Sequence, residues 1–353
     1  MVMEISSIFL FYILAVITCI IRNKWVIHAV IIGFAYLFST RNDNVPDTEN
    51  YINIFEDATW YILNGTGDIG FSLLNLVSHD FLHLTYPVFL FILTFLLMEF
   101  WLYSTKKLFP NGRYGVLFLL FISYFGFFYL GITIRNAIAL ILCNHAVVCY
   151  LCRDKKKILF FSIWVILATL FHKTSIIFFV LIPFLRMRIK PIILIFILLF
   201  STTFAIFNNI PVVKTILETI SSYTDGYDKY SEYTNDKVVT KFLTVTFLME
   251  LVISIAVIWG YYSVRLSKRS MYLYMTYSKF VLFGLVIHLA LWTMPVVTRL
   301  SREFIFFSSV IFYLQLFHNQ AKMGINTRYI CTVLISLAYF VVLIYAESSI
   351  LNY

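Results

Sequence analysis

The sequence predicts an all-α fold, a polytopic integral membrane bundle of about twelve transmembrane segments forming a single membrane domain over residues 1–353. Two observations predict it. The chain is 61% hydrophobic and 13% charged, with a mean hydropathy of +0.87, whereas the apolar share of a soluble domain is nearer half. Apolar runs also recur along the whole length, each bounded by basic residues or turn formers, without the alternation of barrel strands. Only helices and closed barrels satisfy the backbone inside hydrocarbon, so these runs read as helices.

Taken in order, the first run, Ser7 to Ile21, has no basic segment before it and no small-residue cleavage site after it. It is expected to be a retained helix rather than a signal peptide. Further helices are expected near 25–39, 87–103, 114–131, 134–152, 158–171, 173–185, 191–207, 242–264, 271–291, 304–317 and 329–346. Six basic clusters separate them: Arg22 and Lys24; Lys106, Lys107 and Arg113; Arg153 with Lys155 to Lys157; Arg186, Arg188 and Lys190; Arg265, Lys268 and Arg269; Lys322 and Arg328. The positive-inside rule assigns these clusters to the cytoplasm and both termini to the outside. The net charge of +9 is therefore a topology signal, and no nucleic-acid partner is implied.

The segment Ile158 to Leu185 lies between two basic clusters and is apolar apart from His172, Lys173 and a few hydroxyl residues. One long helix would put one cluster outside and invert every later loop. The charge rule therefore predicts a hairpin of two short arms, each spanning about 20 Å at ~1.5 Å per residue, with His172 at a turn below the outer surface.

Two extracytoplasmic stretches, about 40–86 and 208–241, hold most of the Asp and Glu. In the first, Tyr51, Ile52, Phe55, Ala58 and Ile62 mark an amphipathic helix over Asp47 to Leu63, and Gly70 to His83 looks similar. In the second, Tyr223, Tyr227, Tyr230 and Tyr233 recur three or four apart among Asp225, Asp228, Lys229 and Glu232. That face suits stacking on sugars, with Tyr51 as a further candidate, and interfacial anchoring is the alternative.

Ionisable residues inside membrane spans cost about 2.5–3.5 kcal/mol and are functional candidates by default. Arg135 follows Gly131 and Thr133, which look like a helix break and an N-cap. Its guanidinium would join the helix N-terminus in holding a phosphate or pyrophosphate; the alternative is a salt bridge to an acid such as Glu250 or Glu303. Arg299 and Arg302 follow Met294 and Pro295 on the outer side, against the orientation rule, which an anionic ligand explains; Arg302 could instead pair with Glu303. Arg41, at the outer end of the second helix, is a similar candidate or a snorkelling residue. His172 is the acid/base candidate, and Asp47 and Glu49 are alternative bases for a sugar hydroxyl. His79 and His83, at i and i+4, lack an evident third metal ligand, and no metal or other cofactor is expected. The five cysteines lie in or beside apolar runs, which argues against a disulfide framework. No DxD, glycine-rich phosphate loop of the GxxxxGK[ST] type or GxSxG occurs, which removes support for ATP hydrolysis and ordinary soluble transferase chemistry.

Four motifs resemble those of the EpsG-like, or Wzy-type, polymerases of bacterial surface polysaccharides. Pro46-Asp47-Thr48-Glu49-Asn50-Tyr51 with Phe55 is similar to the family's Asp and Tyr signature, and Asp68-Ile69-Gly70-Phe71 to its Glu-x-Gly-Phe element. Gly131 to Ala139 resembles a helix start of the form iRq-x-lA, and Ala168 to Ser175 a turn of the form A-x-lfH-x-sa. Asp68 stands where the family usually has Glu, Asn136 where it has Gln, and Lys173 and Thr174 where small residues or Pro are common.

The resemblance covers most of the chain. It implies a GT-C-like transferase architecture and polymerisation of undecaprenyl-pyrophosphate-linked oligosaccharide repeat units into O-antigen, capsule or exopolysaccharide. The reaction would take place at the periplasmic face of the bacterial inner membrane, in a pathway with a flippase and a chain-length regulator. Metal-independent, inverting glycosyl transfer would then use Arg135 with Arg299, Arg302 or Arg41 on the pyrophosphate, and His172 or Asp47 as base. A glycan ligase would use the same donor. A flippase or transporter would more often show repeated halves, and a membrane acyltransferase would need a donor from the cytoplasm.

Overall fold

The computed structural model describes residues 5–21, 23–41, 45, 47–63, 68–152, 155–187, parts of 193–203, 245–290, 295–320 and 323–346. The described residues are helical, with no strand among them. They form two compact units, Met1–Ile182 with Lys322–Tyr353, and Pro183–Ala321.

The first unit contains α1 (Ile5–Ile20), α2 (Lys24–Ser39), α3 (Thr48–Glu56), α4 (Ala58–Leu63), α5 (Ile69–Leu76), α6 (Tyr86–Leu108), α7 (Tyr114–Phe121), α8 (Phe127–Gly131), α9 (Ile134–Cys152) and α10 (Lys157–Phe171). A π turn, Val77–Phe81, follows α5, and a second, Ile122–Gly126, joins α7 to α8. The boundary between units falls within α11 (Leu181–Arg186). The second unit contains α12 (Val245–Ser263), α13 (Lys268–Ala290), α14 (Pro295–Ile305) and α15 (Ser308–Phe317); α16 (Ile325–Ala346) belongs to the first.

Among the described residues, six segments are long and apolar enough to cross a membrane: Tyr86–Leu108, Tyr114–Gly131, Ile134–Cys152, Lys268–Leu289, Leu300–Phe317 and Ile325–Tyr345. Four shorter apolar helices accompany them, Phe9–Ile20, Trp25–Ser39, Lys157–Phe171 and Phe247–Ser263. The solvent they are built for is legible on their outer faces. Leu159, Ile163, Ile166 and Leu170 form an exposed apolar stripe along α10, and Ile330, Leu334, Leu337, Val341 and Tyr345 form one along α16. Stripes at helical spacing that face away from the protein are costly in water and favourable in lipid. The protein is a multi-pass membrane protein.

Inside the first unit the core is aromatic. Phe34 of α2 meets Phe118 of α7 edge-on at 5.9 Å and Phe127 of α8 at 5.4 Å, and Trp101 of α6 stacks on Phe121 at 4.3 Å. Gly115 lets α7 cross α1 closely, since a Cβ there would fall 1.9 Å from the carbonyl oxygen of Thr18. Tyr12 of α1 shares a 2.7 Å hydrogen bond with Ser336 of α16, tying the C-terminal helix to the first.

The break expected at His172 is present. α10 ends at Phe171, and His172 adopts extended backbone (φ −155°, ψ 112°). The chain then continues as a 3-10 helix, Lys173–Val180, and α11. The second arm is therefore a tight helix over most of its length rather than the uniform α-helix expected for 173–185. The 3-10 helix contacts α10.

Candidate active site

Residues 48–63 and 69–81 fold into short helices. Asp47 heads α3 in the left-handed region (φ 64°), and burial of Tyr51, Phe55 and Ala58 gives α3 and the start of α4 their inner face. Ile52 and Ile62, expected on the same stripe, are half-buried, because a turn at Asp57 separates α3 from α4.

Gly70 is the hinge of the site. A Cβ there would lie 2.9 Å from the Leu170 carbonyl oxygen and 3.0 Å from Leu170 Cβ, so only glycine lets the start of α5 press against the last turn of α10. That contact brings Asp68, at the N-cap position of α5, beside His172, the residue that ends α10. Arg135 enters from the first turn of α9, after the break at Ile132 and Thr133.

Four elements thus deliver one charged cluster. Arg135 Nη1 donates to Asp68 Oδ2 at 3.0 Å, and His172 Nδ1 lies 3.9 Å from the same oxygen. The Asp68 side chain is 8% exposed, while Arg135 and His172 keep 26% and 23%. The carboxylate is therefore sealed in, and the two basic groups retain an accessible edge. Arg135 Cζ sits over the Tyr51 ring, 5.4 Å from its centroid, and Arg41 Cζ lies 5.5 Å from the same centroid. One buried ring thereby makes cation–π contacts with two guanidinium groups. Burial raises the Tyr51 phenol above its ordinary pKa; the neighbouring Asp47 carboxylate acts in the same direction, and Arg135 and Arg41 oppose both. Arg41 also donates to the Gly131 carbonyl at 3.1 Å and to the Tyr86 hydroxyl at 2.5 Å.

The acid paired with Arg135 is thus Asp68, neither Glu250 nor Glu303. Glu250 is fully buried in the second unit, where its carboxylate meets His288 Nδ1 at 2.7 Å and accepts from Ser301 at 2.8 Å. Thr133 precedes α9, but its buried Oγ1 has no hydrogen-bond partner, and Arg135 Nε is likewise buried and unpartnered. The side-chain cap expected of Thr133 is therefore not made, and the first turn of α9 carries two polar atoms available to a ligand.

The structure brings together Arg41, Asp47, Tyr51, Arg135 and His172. Arg299 and Arg302 lie on α14 in the second unit, Arg302 half-buried in its last turn. Tyr223, Tyr227 and Tyr230 fall outside the described residues. His79 bonds Asp80 at 2.7 Å. Sequence alone attaches no role to Asp68, which belongs to the Asp68-Ile69-Gly70-Phe71 motif. An acid two positions before a glycine, at the head of an apolar run, is the available signal, but it does not reveal a partner 67 positions away.

A family model described as EpsG family matches residues 24–353, nearly the whole chain. The chain belongs to the EpsG family. EpsG is a Wzy-like, polysaccharide polymerase-type family. Comparisons with curated proteins and with solved structures returned no match. On this EpsG chain, all four motifs that carried the resemblance contribute to one cluster: Asp47 and Tyr51 from the first, Asp68 and Gly70 from the second, Arg135 from the third and His172 from the fourth.

Proposed function

We propose that this protein polymerises undecaprenyl-pyrophosphate-linked oligosaccharide repeat units into a surface polysaccharide at the periplasmic face of the inner membrane. The reading assumes a GT-C-like bundle of about twelve crossings that works beside the flippase and chain-length regulator of the same pathway. The observation that carries it is the convergence of Arg135, Asp68 and His172, with Arg41 and Tyr51 alongside, at the end of the membrane helices α9 and α10. EpsG membership supports the reaction class.

The growing chain on its lipid pyrophosphate is the donor, and a hydroxyl of the next repeat unit is the acceptor. The acceptor oxygen attacks the anomeric carbon as the bond from that carbon to the phosphate oxygen breaks. The bonding electrons leave with the lipid pyrophosphate, the hydroxyl proton passes to His172, and the single displacement inverts the anomeric centre. Arg135 meets the developing charge through the guanidinium edge it does not spend on Asp68, aided by the α9 N-terminus. Asp68 stabilises the imidazolium formed at His172, much as a carboxylate supports a catalytic imidazole elsewhere. Arg299 and Arg302 are further pyrophosphate ligands in this reading, Asp47 is the alternative base, and Tyr51, Tyr223, Tyr227 and Tyr230 contact sugar.

Deleting the gene and sizing the surface glycan tests the class. Loss of long chains with a one-unit product retained is expected, and Arg135→Ala should reproduce it with a rate loss of about 10²–10³. Wild-type chain lengths in Arg135→Ala would sink the assignment.

A further inference from the structure

Arg41 borders a second feature of the first unit. A cavity of about 430 Å³ opens between the end of α2, the face of α3, the first π turn and the start of α6. Its volume falls within the ~300–1,000 Å³ of ligand sites.

One side of the cavity is apolar and aromatic. Phe55 stacks on Phe89 at 5.1 Å, meets Tyr86 edge-on at 5.6 Å, and shares the lining with Ile52 and Leu84. The other side is polar and incompletely bonded. Arg41 is 7% exposed and directs its two terminal nitrogens to Gly131 and Tyr86, so that its buried Nε has no hydrogen-bond partner. Thr48, 1% exposed, has a buried Oγ1 equally without a partner. Exposed Glu56 shares this side of the lining with Ser39, His79 and Thr85. An unmade hydrogen bond at a buried polar atom costs about 1–3 kcal/mol, so two such residues on one cavity point to an occupant that completes them.

We propose that this cavity is a carbohydrate subsite, in which Thr48, Glu56 and the Arg41 Nε–H grip the hydroxyls of a sugar ring packed on Tyr86. The proposal deepens the polymerase reading and rests on it, by giving the glycan a binding place one aromatic ring away from Arg135. The chemistry favours a sugar over a phosphate. Arg41 already engages each terminal nitrogen, with Gly131 and with Tyr86, and the Glu56 carboxylate in the same lining repels an anion. One donor, one hydroxyl that both donates and accepts, one acceptor and an aromatic wall match a polyhydroxylated ring with an apolar face.

The test uses the full-length protein in detergent and, as probe, the repeat-unit oligosaccharide released by mild acid from the host's own carrier lipid. Saturation-transfer NMR should detect the sugar on the wild type. Thr48→Val and Glu56→Gln should each weaken binding about five- to tenfold, the usual effect of one lost hydrogen bond. Thr48→Ser should restore most of it. Glu56 is exposed, so Glu56→Gln keeps the fold even if Thr48→Val does not. No saturation transfer to the wild type, or unchanged affinity in both Glu56→Gln and Thr48→Val, would overturn the subsite. A signal displaced by inorganic pyrophosphate in preference to sugar would reassign the cavity to an anion and overturn it too. Failure of the polymerase reading shows separately, as unaltered glycan length in Arg135→Ala.

Discussion

Arg135 and Asp68, 67 positions apart, form a 3.0 Å ion pair in which the acid is buried and the base keeps a quarter of its side-chain surface. The asymmetry matters for chemistry. A fully buried pair would be spent on itself, whereas this one fixes the guanidinium and leaves an edge for an anion.

Removing Asp68 should therefore hurt in two ways. Asp68→Asn is expected to slow chain elongation by about 10–10², because Arg135 and His172 lose their common anchor. Asp68→Ala should also lower the thermal unfolding midpoint in detergent, by less than the ~3–5 kcal/mol of a fully buried broken pair because Arg135 can rehydrate. Full activity in Asp68→Asn would remove the carboxylate from the working site.

Gly70→Ala tests the geometry without touching a charge. The added methyl would meet the backbone of Leu170 at 2.9 Å, and a helix backbone cannot move aside as a flexible side chain can. α5 should shift off α10, with a modest stability cost of about 1–3 kcal/mol and a much larger fall in polymer yield per folded molecule. Equal losses of folded protein and of activity would mean that the contact is only structural.

His172→Ala should reduce elongation by about 10²–10⁴, the range for a positioned acid/base group. Full activity retained between about pH 6 and 8, where histidine ordinarily titrates, would exclude His172 from proton transfer.

In the second unit, Glu250→Ala is expected to destabilise through a different interaction. It would leave His288 and Ser301 buried with their 2.7 Å and 2.8 Å hydrogen bonds to the carboxylate gone. α14 packs tightly on α13 there, since a Cβ at Gly284 would fall 2.8 Å from Ser301 O. A loss of about 1–3 kcal/mol should appear as a lower melting temperature and reduced yield. An unchanged melt would show that the cluster rehydrates on mutation.

The helices, the break before Arg135 and the turn at His172 were legible in the sequence because each follows from local chemistry. Apolar runs must be helical in lipid whatever they touch. Gly131 followed by the β-branched Ile132 and Thr133 weakens a helix locally, and basic clusters on both sides of Ile158 to Leu185 favour a break between them. Tertiary structure alone decided that Asp68, rather than Glu250 or Glu303, is the partner of Arg135, that Thr133 leaves its hydroxyl unused, and that one tyrosine ring gathers two arginines. The physical reason is that a charge pair depends on which helices close on each other. Here that closure is set by a missing Cβ at Gly70 against Leu170, a contact that leaves no trace in the periodicity or charge of either segment.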